Sequence, residues 1–201
     1  MSNSRTALVL IETQNDFLSP EGKLNSLVKD VVDGNNFKQN VNEAIAAARQ
    51  AGIPVYFVPI QFSKNHVEVG NSPYGILKVV KDHNAFEKGT WGAQLYDEID
   101  VQEEDIIVEG KSSISAFSGT DLDHILRSNG VDKVILGGFL SHVCVNATMT
   151  DAYDKGYKVV TLTDAVATAG EDAQKQVIDH IYPMFSTPMD VKTFIGSITQ
   201  N

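Results

Sequence analysis

Only one of the 201 residues is cysteine, Cys144, so no disulfide can form within the chain. Nothing in the sequence asks for an oxidising compartment. Long apolar runs are missing too. The first, Ala7 to Ile11, stops at Glu12, too early for the core of a secretory signal. No stretch approaches the ~18 apolar residues of a membrane span, and a cytoplasmic location is expected. Basic residues are scarce: 16 Lys and Arg stand against 26 Asp and Glu, for a formal charge of −10. That balance argues against nucleic acid or an anionic membrane as partner, because both need a basic footprint. A small molecule remains, even an anionic one held in a locally basic pocket. Internal repeats and low-complexity tracts are also absent, and the length suits a single domain over residues 1–201.

What is present is an alternation of strand-like and helix-like segments. Ala7–Ile11 is apolar throughout, as expected for a strand covered on both faces. Val55–Val58, Asp105–Val108, Val134–Leu136 and Lys158–Leu162 read the same way. Between them, Phe37, Val41, Ile45 and Ala48 share one helical stripe that Gly52 closes. Leu122, Ile125 and Leu126 mark a second helix, the residues after Cys144 a third, and Ala173 to Ile181 a fourth. Tyr182–Phe185 is expected as a weak edge strand. Thr187-Pro188-Met189-Asp190 is expected to open the last helix, with Thr187 as its cap. Strands of this kind in alternation with helices predict a parallel sheet with helices on both faces, an α/β fold. The stretch from Gln61 to Asp100 breaks the rhythm, with glycines beside Phe62, Tyr74, Phe86, Trp91 and Tyr96. Such an insertion forms a pocket wall or lid, or else an oligomer contact or subsidiary core.

Ligands of open parallel sheets bind beyond the carboxyl ends of the strands. Three reactive residues fall there. Glu12 follows the first strand, Lys111 the third, and Cys144 the glycine-ended fourth, Lys133-Val134-Ile135-Leu136-Gly137-Gly138. A thiol at a helix start feels the positive end of the helix dipole, which favours thiolate. Glu12 would serve as general base and Lys111 would stabilise the thiolate. Backbone N–H groups before Cys144 would hold an oxyanion. A lone cysteine is equally at home in a core, and an acid or a lysine at a strand end on the surface. The residues alone leave both readings open.

Their surroundings resemble the isochorismatase-like cysteine hydrolases, the family of nicotinamidases, carbamoylsarcosine amidohydrolases, ureido hydrolases and isochorismatases. The likeness runs from about Ala7 to Ile195 and rests on ordered motifs. These are Glu12-Thr13-Gln14-Asn15-Asp16-Phe17, then Lys111-Ser112-Ser113-Ile114-Ser115-Ala116-Phe117, then Gly138 to Cys144, followed by Thr148, Ala152, Gly156-Tyr157 and Asp164-Ala165. The resemblance implies a three-layer α/β/α sandwich around a six-stranded parallel sheet of order 3-2-1-4-5-6. It implies a catalytic triad of Glu12, Lys111 and Cys144, a cis peptide at Phe139–Leu140, and oxyanion donors at the N–H groups of Leu140 and Cys144. It places Phe17, Trp91 and Phe117 against substrate; His142 is a further candidate at the pocket mouth. It also implies a homodimer or homotetramer.

Two departures from the family pattern matter. The acid is usually Asp, and Glu12 is longer by one C–C bond, ~1.5 Å. Nicotinamidases carry a His-containing metal cluster after the second strand, where this chain has Pro59-Ile60-Gln61-Phe62-Ser63. His66, His83, His124, His142 and His180 are scattered, so neither metal nor cofactor is expected. The expected activity is cleavage of a small molecule's amide or ureido C–N bond through a cysteine thioester. The alternatives are ether hydrolysis with Cys144 incidental, and a binding or scaffold protein without catalysis.

Overall fold

The computed structural model describes residues 5–199. Its strands are β1 (Arg5–Ile11), β2 (Val55–Val58), β3 (Ile106–Ile107), β4 (Val131–Phe139), β5 (Lys158–Ala167) and β6 (Thr187–Met189). They lie in the order β3-β2-β1-β4-β5-β6, and every pairing is parallel. This is a doubly wound sheet whose strand order reverses between β1 and β4. The helices, in chain order, are α1 (Asn15–Leu18), α2 (Asn25–Gly34), α3 (Phe37–Gln50), α4 (Gly75–Asp82), α5 (Leu122–Ser128), α6 (Asn146–Asp154), α7 (Glu171–Gln176), α8 (Tyr182–Phe185) and α9 (Val191–Ile198).

Strand parity splits the core in two. Leu8 and Leu10 of β1 face one side, where they join Val28 and Val31 of α2, Phe37, Val41 and Ile45 of α3, and Phe194 of α9. Ala7, Val9 and Ile11 face the other, with Leu122 and Leu126 of α5, Met149 and Ala152 of α6, and Tyr182 of α8. Each face removes a full helical stripe from water, worth ~25 cal/mol per Å² of apolar surface. The outcome is the three-layer sandwich expected. None of the described helices is long and apolar enough to cross a membrane.

The chain's end differs from the sequence reading. Tyr182–Phe185 is helical and Thr187–Met189 is the strand. Tyr182 is fully buried and its hydroxyl donates to the Ser141 carbonyl, which fixes that segment against the sheet. Pro183 sits in a first helical turn, where a missing N–H costs little. Pro188 is tolerated in β6 because that strand is the edge of the sheet. The true cap of α9 is Asp190, whose Oδ1 accepts the Thr193 N–H at 2.7 Å.

The 61–100 insertion is not a separate layer. It contains a 3₁₀ turn at Lys64–Val69, then α4, then a short turn at Trp91–Ala93. Phe62, Val80, Ala85, Phe86 and Tyr96 join the same core cluster as Phe17 of α1. It therefore builds a wall over the carboxyl end of β1.

Candidate active site

The carboxyl ends of the central strands are level: Ile11 pairs with Val58 on one side and Gly138 on the other. Beyond that level each chain turns sharply. Glu12 takes a left-handed backbone (φ 57°), its N–H donating to the Val58 carbonyl at 3.1 Å. Gly138 adopts φ 111°, and a Cβ there would lie 1.9 Å from the Ile11 carbonyl oxygen. Only glycine lets β4 pass this close to the residue before Glu12. The Phe139–Leu140 peptide is cis, where the family resemblance placed it. The chain then enters a wide helical turn, Ser141–Val145, that runs on into α6, with Cys144 in it. From the third strand, Lys111 arrives after Gly110 and is fixed by its carbonyl, which accepts the Gln61 N–H at 2.9 Å.

These turns bring Glu12, Lys111 and Cys144 together in a nearly dry site; they are 2%, 0% and 5% exposed. Lys111 Nζ donates to Glu12 Oε1 at 2.5 Å and also to the Ser113 carbonyl. The Glu12 carboxylate and the Leu140 N–H both act on the buried Cys144 thiol, in opposite senses. The protonation state reverses the expectation drawn from the helix start. Burial, followed by the charge of Glu12, pushes the thiol well above the ordinary thiol range; Lys111 and the Leu140 N–H pull it down by less. At rest, then, Cys144 is a neutral thiol, and the helix dipole is outweighed.

That sign yields a test. Glu12→Gln removes the charge that opposes thiolate while Lys111 remains, so the thiol pKa falls. Alkylation of Cys144 by iodoacetamide at pH 8 is expected to be ~10-fold faster or more in the variant than in the wild type, one pKa unit being tenfold in thiolate. Slower alkylation would mean that Glu12 does not act electrostatically on this sulfur.

The remaining sequence candidates separate. Phe17 is buried, stacked on Phe139 at 4.9 Å and tilted against Phe86 at 5.0 Å. Its ring therefore backs the turn that carries Leu140. Trp91 heads its short turn with the side chain 45% exposed. His142 is exposed and hydrogen-bonded through Nδ1 to the buried Thr168 hydroxyl; partial burial lowers its pKa, which keeps the imidazole neutral. Phe117 is buried in the same apolar cluster as Cys144. Its ring stacks on Tyr157 at 5.9 Å beneath the Lys155 ammonium. The backbone at Ala116 belongs to the site's frame. Thr148 Oγ1 accepts the Ala116 N–H at 2.9 Å and donates to the Cys144 carbonyl at 2.7 Å.

The polar run after Glu12 has a role that sequence reading missed. Gln14 Nε2 donates to the carbonyls of Ile60 and Ala93, and its Oε1 accepts the Ile60 N–H. Asn15 Nδ2 donates to the Trp91 carbonyl, and Asp16 Oδ2 accepts the Phe86 N–H at 2.7 Å. All three side chains are buried. They stitch the 61–100 wall to the end of β1. The available signal was an unbroken polar run, Glu12 to Asp16, between the apolar residues Ile11 and Phe17.

Among the described residues, no group of three or more His, Cys, Asp or Glu is placed to hold a metal ion. A groove of about 1300 Å³ at the opposite edge of the sheet, bordered by Lys133, Tyr153, Lys158 and Phe185, includes none of Glu12, Lys111 or Cys144.

Known proteins show the same arrangement at chain level. Residues 6–193 match the isochorismatase domain. A ureidoacrylate amidohydrolase, RutB, from Yersinia enterocolitica is 35% identical, with 97% of this chain and 90% of the relative covered. A cysteine hydrolase from Pseudomonas syringae pv. phaseolicola superposes with a TM-score of 0.82 at 26% identity, covering 98% of this chain and 93% of the other. The N-carbamoylsarcosine amidase of Thermoplasma acidophilum gives a TM-score of 0.70 at 27% identity, over 93% and 96% of the two chains. With the domain matched along nearly its whole length, the chain belongs to the isochorismatase family.

Proposed function

We propose that this protein hydrolyses the C–N bond of a small non-peptide amide or ureido compound through a thioester on Cys144. The observation that carries this is the convergence of an acid, an ammonium and a thiol from three strand ends, all buried, with Lys111 Nζ 2.5 Å from Glu12 and both charges acting on the thiol. The names of the amidohydrolase and amidase relatives support the choice of bond.

In this reading Glu12 takes the thiol proton as the sulfur attacks the carbonyl carbon. The substrate oxygen becomes an oxyanion held by the N–H groups of Leu140 and Cys144. Collapse breaks the C–N bond, and the proton on Glu12 passes to the leaving nitrogen. Water then attacks the thioester, giving its proton to Glu12. The carboxylic or carbamic acid departs, and the proton returns to the sulfur. Lys111 holds the Glu12 carboxylate in place between steps through its hydrogen bond to Oε1. A neutral resting thiol suits this scheme, since proton transfer accompanies attack instead of preceding it.

Acid quench during turnover of a panel of small amides and ureides, followed by intact-mass analysis, is expected to find the acyl or carbamoyl fragment of the substrate on Cys144. Ammonia release at full rate with the adduct on no residue would overturn the covalent route.

A further inference from the structure

Behind the Cys144 turn runs a chain of buried hydrogen bonds that the proposed reaction does not use. Ser141 Oγ donates to Gln174 Oε1 at 2.6 Å, and Gln174 Nε2 donates to the Val166 carbonyl at 2.9 Å. From the other side, the Tyr182 hydroxyl donates to the Ser141 carbonyl at 3.0 Å. Ser141 and Tyr182 are fully buried and Gln174 is 6% exposed. A primary amide at that depth is costly unless both of its ends are satisfied. Here both are, and a leucine or methionine would serve if the position needed only filling.

The positions of these bonds say what they hold. Ser141 opens the turn whose fourth residue is Cys144, and it directly follows Leu140, whose N–H acts on the thiol. Val166 pairs with Gly138, at the level where β1 delivers Glu12. A closed loop results: Gly138 to Ser141 along the chain, Ser141 to Gln174 to Val166 by side chain, and Val166 back to Gly138 across the sheet. The cis turn is thus tied to the sheet.

We propose that Gln174 and Tyr182 are positioning residues for the Cys144 reaction. Acting through Ser141, they fix the Leu140 N–H and the thiol relative to one another. By this route α7 and α8 contribute to rate without touching substrate. The inference rests on the reading of Cys144 as the nucleophile.

The test compares Gln174→Met, Ser141→Ala and the double variant with the wild type. Four quantities are measured: melting temperature, kcat, KM, and the pH profile of Cys144 alkylation by iodoacetamide. Gln174→Met is expected to lower kcat ~10- to 100-fold with KM within about twofold, because displacement of a reacting group by about 1 Å costs on that scale. Its alkylation profile should move to higher pH as the Leu140 N–H loses its aim at the sulfur. Because Ser141 and Gln174 act as one unit, the double variant should be no slower than the slower single. Leu126→Ala is the reference for simple destabilisation: it opens the core under α5, an element that makes none of these hydrogen bonds, and should shift neither kcat nor the alkylation profile. Unchanged kcat and alkylation in Gln174→Met, losses that Leu126→Ala reproduces, or additive effects in the double variant would each overturn the proposal. Should Gln174→Met fail to fold, Tyr182→Phe keeps the ring, removes one hydrogen bond and should move the same readouts in the same direction. A wild type that hydrolyses no amide would defeat the nucleophile reading. The alkylation profile would still decide whether Gln174 holds the turn.

Discussion

Cys144→Ala is expected to end amide hydrolysis, with kcat/KM falling on the order of 10⁴-fold or more, as when a covalent nucleophile is removed. The fold should survive, since one buried sulfur exchanged for a hydrogen costs about 1 kcal/mol, an ordinary value for a point substitution. The thiol is the group on which Glu12 and the Leu140 N–H act, and alanine supplies no atom in its place. The variant also separates the competing chemistries. Ether hydrolysis, with the cysteine a bystander, would persist in Cys144→Ala. A scaffold without catalysis would show no turnover in the wild type either. Steady-state assays on the amide panel and on small vinyl ethers, with melting curves as the control for folding, distinguish all three.

Lys111→Met carries the largest expected effect on stability. Lys111 is fully buried, and its ammonium is used by Glu12 and the Ser113 carbonyl. Methionine fills much of the same space but leaves a carboxylate in a dry site without its counter-ion. Breaking a buried pair from one side costs ~3–5 kcal/mol, chiefly the desolvation of the orphaned charge. For a chain of this size that is a fall in melting temperature of roughly 6–20 °C, at about 2–4 °C per kcal/mol. Removing both charges together, in Glu12→Leu with Lys111→Met, should restore most of the stability and none of the activity. A calorimetric scan of the wild type and the two variants checks both halves. If Lys111→Met melts with the wild type, the two groups are not coupled as their geometry indicates.

Much of this was legible in the sequence because it depends on local pattern. Apolar runs that stop abruptly at Glu12, or at Gly137-Gly138, announce buried strands and the side of the sheet where chemistry can sit. The ionisation of Cys144 was not legible. A helix start is a local feature and argues for thiolate, whereas burial and the approach of Glu12 from another strand are tertiary and prevail. The direction of the Phe117 ring was not legible for a related reason. Its motif fixes where the backbone passes, but the ring stacks on Tyr157 beneath Lys155, both remote in sequence. The second partner of Lys111, the Ser113 carbonyl, has no side-chain signature at all. At the chain's end, two prolines in one short stretch each suit a strand edge or a helix start; the buried Tyr182 decides between them.

The hydrogen bonds of Gln14, Asn15 and Asp16 to the 61–100 wall bear on how this isochorismatase-family hydrolase can be altered. They join backbone groups of the wall to side chains of the β1 end, so the seam itself tolerates change in most of the wall's exposed side chains. Gly92 is an exception, since a Cβ there would lie 2.3 Å from Asp16 Oδ1. A segment transplanted from a relative needs to present amide groups at the places of Phe86, Trp91 and Ala93 and apolar side chains at those of Phe62, Val80, Ala85, Phe86 and Tyr96; its exposed surface is the part left open to variation.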